Sequence, residues 1–119
     1  MLRELCRAKI HRATVTDANL EYEGSITIDV GLMKEADMAE YEKVLVVNLM
    51  NGRRCETYAI AGPAGSGTVC MNGAAARWAL PGDLVIIMAF ALVSDDEVRK
   101  GWRPKIVYVD EKNRLKVKS

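Results

Sequence analysis

The chain has 119 residues, half of them hydrophobic and 28% charged, with a formal net charge of +1. That is the balance of one soluble globular domain with its own core, and it leaves no excess of positive charge for nucleic acid or an anionic membrane surface. The longest apolar run, Leu84 to Val93, is far short of the roughly 20 residues of a membrane span, and Arg3, Glu4 and Arg7 break any leader-like stretch, so no membrane or nucleic-acid partner and a cytoplasmic location are expected.

Strand signals dominate in chain order. From Leu5 to Thr16 the side chains alternate, placing Cys6, Ala8 and Ile10 on one face and Lys9 and His11 on the other. Ser25 to Asp29 alternates again, with both isoleucines on one side, and Met33 to Tyr41 reads as a short helix offering Ala36, Met38 and Ala39 for packing. Lys43 to Met50 and Arg53 to Ala61 are β-rich runs separated by Asn51-Gly52, a hairpin signal because both central turn residues of that type take positive φ. Gly62 to Gly67 reads as a surface loop, Thr68 to Met71 as a short strand and Asn72 to Ala79 as a small helix. Pro81-Gly82-Asp83 turns the chain into a buried strand from Leu84 to Val93, and Ser94 is placed to cap a helical turn through Glu97. Lys105 to Asp110 and Arg114 to Lys118 complete the chain as strands around a Glu-Lys-Asn turn. Many short strands with few helices, no repeat and no linker predict a single mainly β domain over residues 1–119, closed into a small barrel that hides its sheet edges.

A Gly-Ser pair is ordinarily a turn. Gly24-Ser25 stands out because it arrives within Tyr22-Glu23-Gly24-Ser25, with Lys9-Ile10-His11-Arg12-Ala13-Thr14-Val15-Thr16 before it, and Arg54-Cys55-Glu56-Thr57-Tyr58 and Asn72-Gly73-Ala74-Ala75-Ala76 after it. In this order and register the motifs resemble those of the aspartate 1-decarboxylase family, the self-processing pyruvoyl enzymes that make β-alanine for pantothenate, and the likeness runs to about Val109. The resemblance implies a six-stranded double-psi β-barrel with short helices. It also implies a proenzyme that cleaves itself at Gly24-Ser25 into residues 1–24 (the β chain) and 25–119 (the α chain), with Ser25 becoming an N-terminal pyruvoyl group. No metal and no pyridoxal phosphate are implied.

Glycine at position 24 has no side chain to hinder attack of the Ser25 hydroxyl on the Gly24 carbonyl, and positioning supplies the effective concentration. By resemblance Thr57 donates to the developing oxyanion and Asn72 takes part in self-processing. In the mature enzyme the ketone condenses with the amine of L-aspartate, and Tyr58 returns a proton after carbon dioxide leaves. Two carboxylates call for two cations, and the family positions are Lys9 and Arg54; which cation takes which carboxylate stays open. Thr57, Gly73, Ala74 and Ala75 line the substrate, with the helix start after Asn72 favouring a carboxylate, and His11 has a secondary, tuning role. Alternation sets Thr57 and Tyr58 on opposite faces unless a bulge intervenes. A homotetramer is implied, with active sites between subunits.

Rival readings are weaker. Gly62 to Thr68 lacks the lysine of a phosphate-binding loop, and the three cysteines and one histidine lack the close spacing of a zinc site. Cys6, Cys55 and Cys70, odd in number and far apart, fit free buried thiols. A Ser25-His11-Asp hydrolase would want a Gly-x-Ser-x-Gly elbow. The rival from another class is a non-catalytic β-barrel binding or oligomerisation module, which predicts an intact Gly24-Ser25 bond. Val46 to Met50 and Pro63-Ala64 depart from the family pattern without touching an assigned residue.

Overall fold

The computed structural model describes residues 1–117, so Lys118 of the expected last strand lies outside the described residues. The elements are β1 (Leu2–Thr14), β2 (Asp17–Asn19), β3 (Ser25–Asp29), α1 (Val30–Glu35), β4 (Lys43–Asn48), β5 (Arg54–Gly62), β6 (Val69–Asn72), a 3-10 turn (Gly73–Arg77), β7 (Leu84–Ser94), α2 (Asp95–Arg99), β8 (Lys105–Val109) and β9 (Leu115–Lys116). The mainly β expectation holds. The strands form one hydrogen-bonded run in the order β2-β6-β3-β5-β4-β7-β1-β8-β9, nine members long. Among the described residues no ladder joins β2 to β9, so the run is open at its ends.

Alternation explains which side of each strand is dry. Ala8 and Ile10 of β1, Ile26 and Ile28 of β3, Ala59 of β5, and Val85, Ile87 and Ala89 of β7 are wholly buried in one core with Val69 and Met71 of β6. Lys9 and His11 lie half-buried on the opposite side of β1, as their spacing predicts. β1 is irregular: its register against β7 slips between Cys6 and Ala8 and again between Ile10 and Ala13. Arg12, inside the second slip, has φ 61°, so the strand bulges at His11-Arg12.

One buried side chain links the two ends of the run, and a second pins the loop before β6. Asn113 Oδ1 accepts from the Thr14 amide (2.7 Å), and its Nδ2 donates to the carbonyls of Thr14 and Gly67, both at 2.8 Å. Asp29, 4% exposed, accepts from the amides of Gly31 (2.8 Å), Gly65 (3.2 Å) and Gly67 (2.9 Å), fixing the Gly62 to Gly67 loop against the start of α1. The Thr16 amide reaches the Val69 carbonyl at 2.7 Å, bringing the exit of β1 beside β6.

Several local expectations are corrected. The first helix spans Val30–Glu35 rather than Met33 to Tyr41, because the Asp29 carboxylate caps it at Gly31 and the chain then takes positive φ at Asp37 (55°) and Tyr41 (70°). The hairpin loop is four residues, Leu49 to Gly52, closed by the Asn48 amide on the Arg53 carbonyl at 2.8 Å; Gly52 alone takes positive φ, so it is not the expected two-residue turn. Asn72 to Ala79 holds only a five-residue 3-10 turn. The last strand is the two residues Leu115–Lys116. Ser94 does cap α2, its hydroxyl accepting from the Glu97 amide at 3.2 Å. The three cysteines are free, and half-buried rather than buried.

Candidate functional site

Ser25 opens β3 and is fully buried, immediately after the exposed Gly24. Its strand pairs antiparallel with β6, which sets Ser25 directly opposite Asn72. Asn72 Nδ2 donates to Ser25 Oγ at 3.1 Å and to Thr27 Oγ1 at 2.9 Å, while Ser25 Oγ donates to the Glu23 carbonyl at 3.2 Å. Cys70 Sγ donates to Asn72 Oδ1 at 3.2 Å. The hydroxyl therefore sits, out of water, in a complete polar network whose other members are an amide, a second hydroxyl and a thiol.

Thr27 and Cys70 were not expected from the motifs. Period-two spacing points to both, since each lies two residues from a motif residue, Thr27 from Ser25 and Cys70 from Asn72, and so shares its strand face. The cluster borders a cleft of about 380 Å³ lined by Tyr22, Thr27, Cys70 and Asn72 among others. A depression of about 440 Å³ lies elsewhere, around His11, Arg12, Tyr108 and Lys116.

Conformational freedom is needed at Gly73 rather than at Gly24. Gly24 is outside the left-handed region, and a Cβ built there would meet nothing within 4 Å. Gly73 has φ +62°, and a Cβ there would lie 2.6 Å from Gly24 Cα, 2.7 Å from Gly24 N and 2.9 Å from the Tyr22 carbonyl oxygen. The bare face of Gly73 is the surface on which the Gly24 backbone rests. The 3-10 turn that follows buries Ala75 and leaves Ala74 exposed. It is too short to supply the helix-end charge expected for a carboxylate, and Asn72 makes no capping bond because its side chain is turned to Ser25.

The cations and the tyrosine are placed by register. β3 pairs parallel with β5 from Ile26 opposite Ala59, so Ser25 and Tyr58 are the residues just before that first pair. Tyr58 shares its face with Glu56 and Arg54; Thr57 faces the core side with Cys55 and Ala59. Pairing of β4 with β5 runs unbroken from Tyr58 to Arg54, so no bulge brings Thr57 round to the Tyr58 face. Lys43 forms an ion pair with Glu56, and the Tyr41 and Tyr58 rings lie 6.5 Å apart.

Lys9 is on the same outer face but not in the same place. The row across the sheet reads Lys9, Met88, Leu45, Glu56, from β1 through β7 and β4 to β5. Three strand spacings separate Lys9 from the Arg54–Tyr58 strand, roughly 14 Å. A single chain therefore brings together Gly24, Ser25, Asn72 and Gly73, with Tyr58 adjacent in register, and leaves Lys9 and His11 apart from them. His11 packs edge-on against Tyr108 with ring centroids 5.7 Å apart. Burial lowers its pKa below the usual imidazole value, and the cations Arg12, Lys9 and Lys116 lower it further, so His11 is neutral at neutral pH.

Among the described residues no group of three or more His, Cys, Asp or Glu converges as a metal site, and no helix is long and apolar enough to cross a membrane.

The family model for aspartate decarboxylase matches residues 1–116. Relatives named aspartate 1-decarboxylase include those of Thermoanaerobacter pseudethanolicus, 55% identical over 114 residues (96% of this chain and 97% of the relative), and Syntrophus aciditrophicus, 54% identical over 116 residues (98% and 99%). That of Caldicellulosiruptor saccharolyticus is 58% identical over 115 residues, covering 97% of this chain and 89% of the relative. The chain belongs to the aspartate decarboxylase family.

Proposed function

From this membership we infer that the chain is a lyase that removes the 1-carboxylate of L-aspartate as carbon dioxide, leaving β-alanine in the pantothenate pathway. The observation that carries the reading into the residues is the buried Ser25 hydroxyl, held between the Glu23 carbonyl and Asn72 Nδ2 directly after an exposed glycine. In the maturation we propose, Ser25 Oγ attacks the Gly24 carbonyl carbon and the acyl group passes from nitrogen to oxygen. Loss of the Ser25 α-proton expels the Gly24 carboxylate, which carries away the serine oxygen. Hydrolysis of the remaining enamine consumes one water and releases one ammonia, leaving residues 1–24 and 25–119 in one fold. Exclusion of water from Ser25 favours the intramolecular attack, and the hydrogen bond to Oγ from Asn72 supports its departure with the carboxylate. Thr57, on the core side of β5, remains the proposed oxyanion donor.

The surroundings fit a pyruvoyl group at residue 25. The position is anchored by backbone pairing with Asn72, Tyr58 is its neighbour in register, and a small residue precedes it. A pyruvoyl carbonyl supplies the electron sink that decarboxylation requires. Around it the chain's own residues bind and orient: Arg54 and Lys9 take the two substrate carboxylates, Ala74 and Ala75 offer a small-residue wall, and the Tyr58 hydroxyl gives a proton to the carbon that lost its carboxylate. The roughly 14 Å between Lys9 and the Arg54 strand supports sites shared between subunits, one subunit's Lys9 and His11 completing its neighbour's site, in the homotetramer that family membership suggests. Three parallel strand pairs, β1·β8, β2·β6 and β3·β5, within a mostly antiparallel sheet support the double-psi reading of the barrel.

Intact mass of the denatured protein tests this. Two fragments split after Gly24, the larger lighter by one ammonia than a serine-started chain, are expected, together with β-alanine formation from aspartate. Ser25→Ala is expected to abolish both. A permanently intact wild-type chain that is inactive on aspartate would instead indicate a non-catalytic barrel.

A further inference from the structure

We propose that Cys70 is a positioning residue for self-cleavage: its thiol, donating to Asn72 Oδ1, fixes the orientation in which Asn72 Nδ2 holds the Ser25 hydroxyl. The inference rests on the self-cleavage reading above and adds a residue to it. A side-chain amide can be turned end for end at little steric cost, exchanging its oxygen and nitrogen. Ser25 Oγ gives its proton to the Glu23 carbonyl and so needs a donor from Asn72. The second Nδ2 proton goes to Thr27 Oγ1, but a hydroxyl donates or accepts equally well and does not choose between the two orientations. The group that chooses is at the other end of the amide. Cys70 lies two residues before Asn72 on the same face of β6, with Sγ 3.2 Å from Oδ1. The thiol is a weak donor and a weak acceptor, but here it donates to Oδ1 at 3.2 Å, and the nitrogen end in the same place could not accept its proton.

Burial, with the Asp17 carboxylate nearby, raises the Cys70 pKa, so the sulfur keeps the proton it donates. With Cys70 unable to donate, the flipped amide would present Oδ1 to Ser25 Oγ. Ser25 would then turn its proton from Glu23 to Asn72, reorienting the lone pairs of Oγ and losing the donor that faces it.

The test uses full-length chain made by cell-free synthesis, with cleavage at Gly24-Ser25 followed by intact mass. Cys70→Val removes the donor and adds about one methyl; Cys70→Ala removes it without adding a branched side chain; Cys70→Ser keeps a donor. The valine and alanine variants are expected to mature about tenfold slower, the effect of losing one modest interaction in the transition state, and the serine variant within about twofold of wild type. Melting temperatures, measured in a Ser25→Ala background, are expected to stay within a few degrees across the series. Wild-type rates in both donorless variants, or a serine variant as slow as they are, would overturn the role of Cys70. A wild-type chain that never cleaves overturns the self-cleavage reading, and this inference with it.

Discussion

Replacing Gly73 with alanine is expected to damage the proposed cleavage segment at Gly24 more than replacing Gly24 itself. At Gly73 the new Cβ would sit 2.6 Å from Gly24 Cα, so the two backbones must separate by 0.4 Å to reach the tightest contacts proteins show, at 3.0 Å, and by 0.8 Å to reach ordinary contact at 3.4 Å. Both partners are main chain, so no flexible side chain can yield. Holding alanine at φ +62° costs about 1 kcal/mol, and forced overpacking of this kind adds roughly 1–3 kcal/mol. The stability loss is therefore about 2–4 kcal/mol if the segment stays, read by denaturant unfolding in a Ser25→Ala background. If the segment moves instead, stability is partly recovered, but a shift near 1 Å at a reacting carbonyl costs on the order of a hundredfold in rate. A time course of intact mass reads that loss. Gly24→Ala, whose Cβ meets nothing within 4 Å, is expected to fold with wild-type stability. Gly73→Ala with both stability and cleavage rate unchanged would refute the reasoning.

Tyr58→Phe is expected to leave self-cleavage within a few-fold of wild type while slowing β-alanine production by about a hundredfold or more, within the usual range for a general acid; loss of cleavage instead would reassign Tyr58 to maturation. His11 is expected to titrate below the ordinary imidazole value by NMR, because burial and then Arg12, Lys9 and Lys116 disfavour its charged form, and Lys9→Gln should move the midpoint upward. Since the unfolded chain protonates His11 first, its contribution to stability falls as pH drops from the unfolded value near ~6.5 toward the lower folded one, and is constant outside that window. His11→Gln should flatten this segment of a stability-against-pH curve. Asn113→Ala removes three buried hydrogen bonds to Thr14 and Gly67, leaves a non-glycine residue at φ 59°, and is expected to cost about 2–4 kcal/mol; a melting temperature within 2–3 °C of wild type, roughly the shift of ~0.5 kcal/mol, would refute that.

Side-chain alternation and turn chemistry are local properties, and what depends on them was legible in the sequence. Ala8 and Ile10 against Lys9 and His11, the isoleucines of β3 and the Ser94 cap follow from spacing alone. So did the motifs around Gly24-Ser25, whose identity rests on residue type and order. Boundaries moved where a distant or neighbouring group took over a backbone amide, as Asp29 did at Gly31. Tertiary structure alone decided who meets Ser25, because those contacts depend on the register between strands far apart in the chain. Asn72 is 47 positions away and reaches Ser25 through the β3·β6 ladder; that ladder also recruits Thr27 and Cys70 and presses Gly73 against Gly24. The same ladders place Lys9 three strands from Arg54, a separation no motif spacing encodes, since a strand's neighbours are chosen by the pairing of the whole sheet.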